Sequence, residues 1–245
     1  LRREKIVAQV EQCALECHGK AVIDRELLDE VTALVEWPVA LAGKFEARFL
    51  DVPQEALISS MSEHQKYFHV VDDQGGLLPC FITVANIESQ DPARVIDGNE
   101  RVIRPRLTDA AFFYQTDLKV NLAVRREQLK TIIFQSQLGT LYDKTERVAS
   151  LAGKIAVMIG GNTAWAIRAG ELSKADLLSN MVQEFDSMQG IAGSYYATHD
   201  GEPQEVAQAI REHYLPRFAG EDVASSLTGC AVAIADRIDT LVGIF

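Results

Sequence analysis

Apolar side chains recur every three or four positions at the start of the chain, a spacing that places them on one face of a helix. Ile6, Val10 and Ala14 follow this pattern, and a second stretch, DRELLDEVTALVEW, repeats it. Asp24 opens the second stretch, where a carboxylate can accept hydrogen bonds from the unpaired N–H groups of a helix start. We therefore predict two amphipathic helices, the second capped by Asp24.

The pattern then changes to the short apolar runs that are typical of β-strands. PVALAGKFEARFL alternates around a glycine and predicts a strand, whereas PQEALISSMSEHQKYF predicts a helix that begins near Pro53. In YFHVVDDQGGLLPCFITVANI, two β-rich runs flank the turn-forming residues DDQGG. This composition predicts an antiparallel hairpin.

Helical periodicity dominates the chain after residue 119. Five such stretches are separated by Gly, Pro or Asn: LAVRREQLKTIIF, KTERVASLAGKIAVMIG, KADLLSNMVQEFDSMQGIAGSYYA, EVAQAIREHYLPRF and LTGCAVAIADRIDTLVGIF. We predict an α+β fold, with a mixed α/β domain containing an antiparallel, hairpin-containing sheet over residues 1–119 and an all-helical domain over residues 120–245. Because both chain ends lie inside helical patterns, we expect an internal piece of a longer protein.

The overall composition is that of a folded protein with an acidic surface. Hydrophobic residues make up 47% of the chain, charged residues 24%, and the formal net charge is −11. This charge argues against a protein that wraps nucleic acid with its whole surface. The four cysteines are irregularly spaced, and no apolar run reaches the ~20 residues of a membrane-spanning helix. We expect a cytoplasmic protein with no membrane partner.

One segment departs from this acidic character. Residues 94–130 contain eight Lys or Arg and only five Asp or Glu. We expect Thr108 to cap a helix that begins at LTDAAFFY, with Arg101, Arg104 and Arg106 in an extended segment before it. Extended arginines beside a helix start suit phosphate groups, because guanidinium pairs with them bidentately. Arginines that only form surface ion pairs fit the composition equally well.

A consecutive His-Asp pair raises the possibility of metal chemistry. His199 and Asp200 form the pair, and Asp236 or Asp239 offers a distal carboxylate. HD-type phosphohydrolases hold a cation with such groups and an upstream histidine, for which this sequence has no counterpart. The missing imidazole would leave a coordination position to water, so we predict no metal site. Alternatively, Asp200 or Glu202 lies near the N-terminus of the following helix.

No other motif suggests catalysis or cofactor binding. Cys13 and Cys17 stand four residues apart on one helix, followed by His18. A structural zinc site needs four ligands and no second pair exists, so we interpret these cysteines as small apolar groups. Phosphate loops, dinucleotide-binding glycine fingerprints and nucleophile elbows are absent. We expect no catalytic residue in this chain and no cofactor bound by it.

Long blocks of the sequence closely resemble the beta chain of bacterial glycyl-tRNA synthetases. The resemblance runs in order from about Trp37 to Phe245, in SEHQKYF, LLPCFITVANI, VIDGNERVIRPRLTDAAFFYQTDLK, FQSQLGTLYDKTERVASLA, KADLLSNMVQEFDSMQGIAG, YYATHDGEPQEVAQAIREHYLPRFAGE and AIADRIDTLVGIF. It implies a tetrameric glycine–tRNA ligase of two alpha and two beta chains that uses ATP. Glycine activation would belong to the alpha chain. The partners would be that alpha subunit, a second beta chain and glycine tRNA.

The resemblance also assigns expected roles within this chain. Residues 1–119 would be similar to part of phenylalanyl-tRNA synthetase beta chains, and residues 120–245 would form an HD-like domain, incomplete at its C-terminus. His199, Asp200 and Asp236 would be a degenerate HD-like constellation. The expected contacts to tRNA phosphates or the alpha chain come from four residues: Arg101, Arg104, Arg106 and Lys119.

In this interpretation Phe113 or Tyr114 holds the cationic segment against its own core. Two alternatives stay open. The chain could be a scaffold that joins the alpha chain to distal beta domains. It could also be a metal-dependent hydrolase or editing domain that uses His199, Asp200 and Asp236.

Overall fold

The computed structural model describes residues 1–245. Its contacts divide the chain into two units, Leu1–Phe112 and Phe113–Phe245. The α+β fold class is confirmed, since a four-stranded antiparallel sheet lies in the first unit and helices dominate the second. None of the helices combines the length and apolar character that a membrane span requires.

The first unit packs two helices against its sheet. The strands pair in the order β1-β3-β4-β2, and the predicted hairpin is the antiparallel pair β3–β4. Asp24 caps the second helix as predicted, because its carboxylate accepts a hydrogen bond from the N–H of Leu27 at 2.9 Å. The elements are α1 (Arg2–Glu16), β1 (Lys20–Ala21), α2 (Arg25–Leu34), β2 (Val39–Lys44), α3 (Gln54–Ser59), β3 (Phe68–Val71) and β4 (Leu77–Ala85).

The core of this unit lies between the two helices and one face of the sheet, where Ile6 and Val10 of α1 meet Phe68 and Ile82. On the sheet, Gly43 of β2 is opposite Phe81 of β4. The Phe81 ring lies so close over Gly43 that a Cβ atom there would clash with it. Only glycine, which has no Cβ atom, fits at this position without a steric clash.

The segment predicted to be extended is helical, so that prediction was wrong. A single helix, α4 (Pro92–Asp117), contains Arg101, Arg104 and Arg106. Thr108 is not an N-cap, because its hydroxyl donates to the carbonyl of Arg104 at 2.8 Å within the helix.

Burial explains why the helix continues through Pro105. A proline inside a helix removes one backbone hydrogen bond and crowds the preceding turn. Ile103, Leu107 and Ala110 lie on one side of the same helix and are completely buried. The apolar surface that they remove from water outweighs the local cost of the proline.

The second unit is helical except for one short ribbon. The prediction of an all-helical domain was wrong at this ribbon, where β5 and β6 pair antiparallel. The β-branched Ile133 suits a strand better than the helix that was predicted there. The elements are α5 (Leu122–Gln128), β5 (Ile133–Gln135), β6 (Gly139–Thr140), α6 (Leu141–Ile159), α7 (Thr163–Leu172), α8 (Asn180–Glu184), α9 (Ile191–His199), α10 (Gln204–Glu212) and α11 (Leu227–Ile244).

Local signals define the helices that build this unit. Thr140 and Asp143 form a reciprocal capping box at the start of α6, and Gly160 ends that helix with a φ of 74°. Gly170 of α7 lies against α6, where an added Cβ would be 2.7 Å from the Cα of Ala149. The two helices therefore approach each other closely at this point.

Asp117, the last residue of α4, is the polar centre of the second unit. Its buried carboxylate accepts hydrogen bonds from Nη2 of Arg125 at 2.9 Å and from the hydroxyl of Tyr196 at 3.0 Å. It also accepts from the backbone N–H groups of Asn180 and Met181, at 3.0 and 2.9 Å. One carboxylate thus joins α5, the start of α8 and the middle of α9.

Candidate functional site

Three arginines share one exposed face of α4. Residues advance by about 100° around a helix, so Arg94 and Arg101 nearly coincide and Arg104 lies about 60° away. We call Arg94, Arg101 and Arg104 the arginine face; their side chains are 88%, 72% and 52% exposed. Each forms an ion pair, and the distance is 2.7 Å from Arg101 to Asp97 and 3.0 Å from Arg104 to Glu46.

The other two predicted cationic residues lie elsewhere. Arg106 is exposed, but it is about 140° around the helix from Arg101. Lys119 follows the end of α4, in the second unit, and its N–H donates to the carbonyl of Thr116 at 3.3 Å. The four predicted residues therefore do not form one helix face, whereas Arg94, which was missed, belongs with Arg101 and Arg104.

An aromatic anchor holds the end of α4. Tyr114 is half-buried and stacks on the buried Tyr196 with ring centroids 6.0 Å apart. Burial raises the pKa of Tyr114. Phe112, two residues earlier, is 65% exposed. Of the two aromatics proposed to hold this segment, Phe113 and Tyr114, it is Tyr114 that stacks on Tyr196, within the second unit.

The His-Asp pair lies at the end of α9. Nδ1 of His199 is 3.6 Å from a carboxylate oxygen of Asp200, whose other oxygen accepts from the N–H of Leu122 at 2.7 Å. Glu202 pairs with Arg168 at 2.6 Å. Neither acid caps α10, which begins after Pro203 without a side-chain cap. Both acids lie near the start of α10, as expected, but neither serves as its cap.

Asp236 belongs to a different group of residues. One oxygen of its carboxylate is 2.9 Å from Nζ of Lys144, on α6, and the other is 3.0 Å from Nζ of Lys174, which follows α7. Lys144 also reaches Asp239 at 3.2 Å. We call this group, together with His213, the ionic cluster: Lys144, Lys174, His213, Asp236 and Asp239.

The hydrogen bonds of His213 fix its tautomer. Nδ1 lies 2.6 Å from the carbonyl oxygen of Ile210, and Nε2 lies 2.9 Å from Nζ of Lys174. Because a carbonyl only accepts, Nδ1 carries the proton and Nε2 accepts from the ammonium group. Burial, together with the charge of Lys174, lowers the pKa of His213 well below its usual value. The imidazole is therefore neutral.

The remaining charges of the cluster balance locally. Burial lowers the pKa of Lys174. Burial alone would raise the pKa of Asp236, but the charges of Lys174 and Lys144 hold it well below the usual range. Asp239 also binds Arg147 at 2.6 Å. Ammonium and guanidinium groups of the chain thus surround both carboxylates.

This arrangement separates the three residues that were proposed for hydrolysis. His199 and Asp200 contact each other, whereas Asp236 contacts Lys144 and Lys174. No three His, Cys, Asp or Glu side chains are grouped so that they could hold one ion. The signal that we missed is Lys144, a charged residue four positions before the buried Val148 on the apolar face of α6.

The cysteines at the start of the chain pack as apolar groups. Cys13 and Cys17 lie against the core of the first unit. Burial raises the pKa of Cys13, and burial together with a hydrogen bond between Cys80 and Cys17 raises the pKa of Cys80 to about 12. These thiols therefore stay protonated, which agrees with the interpretation of Cys13 and Cys17 as small hydrophobic side chains.

Comparisons with known proteins agree on one family. The sequence model described as "Glycyl-tRNA synthetase beta subunit" matches residues 1–245. Glycine–tRNA ligase beta subunits from Marinobacter nauticus and Hahella chejuensis are 64% and 63% identical over 245 and 244 residues, and that from Stutzerimonas stutzeri is 61% identical. Each similarity covers 100% of this chain but only 35–36% of the relative. The chain thus spans about a third of their length.

Proposed function

Since the chain belongs to the glycyl-tRNA synthetase beta subunit family, we propose that it is a tRNA-binding part of a cytoplasmic ligase that joins glycine to tRNA with ATP. Glycine activation takes place outside it, on an alpha subunit. The protein's partners are that alpha subunit, a second beta chain and glycine tRNA. This segment contributes binding surface and connects the alpha subunit to the rest of the beta chain.

The arginine face is the observation that supports tRNA binding. Arg94, Arg101 and Arg104 lie along about 15 Å of α4, a length that spans more than one phosphate of an RNA strand. Their ion pairs are exposed, and such pairs contribute only about 0–1 kcal/mol each. Phosphate can compete with these carboxylates, because the exposed ion pairs are weak and guanidinium binds phosphate as well as carboxylate bidentately.

The carboxylates beside the arginines limit how strong this contact can be. Asp91, Asp97 and Glu46 offset the charge of the face. At most three phosphates are neutralised there, so each arginine accounts for about 0.7–0.9 of the slope of log affinity against log salt concentration. The face contributes to affinity and orientation, whereas sequence is read elsewhere.

The test compares two double variants of the full-length protein that contains this chain. Arg101→Gln/Arg104→Gln removes two charges of the face, and the matched control Arg3→Gln/Arg25→Gln removes two exposed arginines that both pair with Asp29. We expect the first variant to bind glycine tRNA about tenfold more weakly and to lower the salt slope by about 1.5. Equal affinity and slope in both variants would contradict tRNA binding and leave the scaffold role.

A further inference from the structure

A polar pocket lies within the second unit, and its lining shares no residue with the ionic cluster. Its volume is about 430 Å³, which falls in the range of about 300–1,000 Å³ typical of small-molecule sites. It is formed by the end of α4, one side of α9 and the last turn of α10. The lining residues are Tyr114, Ser194, Tyr195, Thr198, His199 and Arg211.

The chemistry of this lining combines a fixed positive charge, hydroxyl groups and aromatic rings. Arg211 is always protonated, and its side chain is exposed on α10. Ser194 and Thr198 stand one helical turn apart on α9, and the Thr198 hydroxyl donates to the carbonyl of Ser194 at 2.9 Å. The lining contains no carboxylate. An anionic group is therefore favoured here.

Two acids adjoin pocket residues in sequence, Asp200 and Glu212, and both are turned to other partners. The Glu212 carboxylate accepts from the hydroxyl groups of Ser225 and Ser226 at 2.7 and 2.6 Å. Asp200 adjoins His199 in sequence, but one of its oxygens accepts from the N–H of Leu122 at 2.7 Å and its side chain is 8% exposed. Neither carboxylate lines the pocket. His199, with its side chain 50% exposed, adds a ring nitrogen that can donate to an anion.

The aromatic residues add a second kind of recognition. Tyr114 is fixed by its stacking on Tyr196, with centroids 6.0 Å apart, so it offers a rigid wall. Tyr195 is half-buried on the same stretch of α9 as the hydroxyl groups. Any of the four nucleobases can stack on such rings, and the phosphate next to the base can form an ion pair with arginine.

We propose that this pocket binds one unpaired nucleotide of RNA, with the base against Tyr195 and the phosphate held by Arg211 and the Ser194 hydroxyl group. The inference rests on the proposed tRNA-binding function and assigns a second contact to it. A base paired in a helix presents only its edges, so stacking on Tyr195 requires a nucleotide outside the duplex. The pocket thus selects unpaired RNA by shape.

The experiment measures binding of a 5′-phosphorylated single-stranded RNA hexamer to the full-length protein, with the same hexamer in a duplex as competitor. Tyr195→Leu removes the stacking surface, and Arg211→Gln, at an exposed position, removes the charge without disturbing the core. Phe218→Leu and Lys154→Gln are the matched controls, since both residues are exposed in the same unit.

We expect each pocket variant to bind the hexamer about tenfold more weakly, while both controls bind as the unchanged protein does. Arg211→Gln also lowers the salt slope by about 0.7. Unchanged binding by the two pocket variants, equal competition by the duplex, or full displacement by inorganic phosphate at the concentration of the hexamer would each overturn the proposal.

The same assay separates this proposal from the arginine face. If the arginine face fails its test, the pocket variants still lose hexamer binding while Arg101→Gln/Arg104→Gln keeps it. If the pocket fails, its variants keep hexamer binding while the arginine-face variant still loses affinity for glycine tRNA.

Discussion

Nζ of Lys174 lies 2.9 Å from Nε2 of His213, and the opposite nitrogen of the same ring donates to the carbonyl of Ile210. This hydrogen bond between Lys174 and His213 is stable only while the imidazole is neutral, because a second proton on the ring would place two cations in direct contact inside the protein. Tyr214 lies beside both, with its ring centroid 3.9 Å from that of His213 and 4.0 Å from Nζ of Lys174. No water can relieve such a repulsion at this buried site.

Stability is therefore expected to fall in mild acid. Burial and Lys174 lower the pKa of His213 in the folded protein, whereas the unfolded chain titrates near the usual value of 6.5. Below that pH the unfolded state binds a proton that the folded state does not, so the free energy of unfolding decreases by up to about 1.4 kcal/mol per pH unit. Urea unfolding at a series of pH values measures this slope.

A neutral replacement isolates the contribution of His213. His213→Gln keeps a donor and an acceptor but cannot be protonated, so its stability should decline less between pH 6.5 and pH 5. Asp176 acts with the opposite sign, because burial raises its pKa from 3.8 to about 6 and favours the folded state as pH falls through that range. Parallel curves for His213→Gln and the unchanged protein would contradict the prediction.

Removing the ammonium group of Lys174 should destabilise the second unit. Lys174→Met leaves one oxygen of Asp236 and Nε2 of His213 without their shared donor, and breaking a buried charge pair costs about 3 kcal/mol. The double variant Lys174→Met/Asp236→Asn should lose less than the sum of the two single changes, because the residues interact directly. Additive losses in urea unfolding would contradict the coupling.

Asp117 offers a test at a buried carboxylate outside the ionic cluster. Asp117→Asn keeps the shape but removes the charge and one acceptor from a group bonded to Arg125, Tyr196 and two backbone N–H groups. We expect a loss of about 3–5 kcal/mol, seen as a lower urea midpoint. Asp109→Asn, on the exposed side of the same helix, is the control and should change stability by less than about 0.5 kcal/mol.

Replacing glycine by alanine should have opposite effects on stability at Gly43, where the Phe81 ring lies close, and at Gly98, where the space is open. Gly43→Ala should destabilise the first unit by about 1–3 kcal/mol, because its Cβ would meet the Phe81 ring. Gly98→Ala, in α4 with no atom within 4 Å of the added Cβ, should stabilise by about 0.5–1 kcal/mol. Thermal unfolding distinguishes the two, and a loss at Gly98 equal to that at Gly43 would contradict the explanation.

The sequence correctly predicted the structural elements that depend on interactions between neighbouring residues, such as a helix cap and a turn. Asp24 caps α2 because the acceptor stands next to the N–H groups that need it, and the β3–β4 hairpin forms at the turn residues between its strands. The extended segment before Thr108 was predicted wrongly because Pro105 is a local signal, while the burial of Ile103 and Leu107 that overrides it depends on the tertiary fold.

The candidate sites were predictable only in part for the same reason. Arg101 and Arg104 were found by charge, but grouping them with Arg94 rather than Arg106 required knowing that α4 is one helix. Asp236 was paired with His199 by analogy, whereas its partner Lys144 lies more than ninety positions away and is brought near by the packing of α6 and α11. Local sequence patterns do not predict a contact between residues so far apart in the chain.

The ionic cluster neutralises its carboxylates with side chains of the protein itself. The positive charges that neutralise Asp236 and Asp239 belong to Lys144, Lys174 and Arg147, so they are attached to the backbone and have no dissociation constant. A carboxylate neutralised by a bound metal holds its helices together only at sufficient ion concentration. Here the joining of α6, α7 and α11 is independent of the ion supply of the cell and insensitive to chelators.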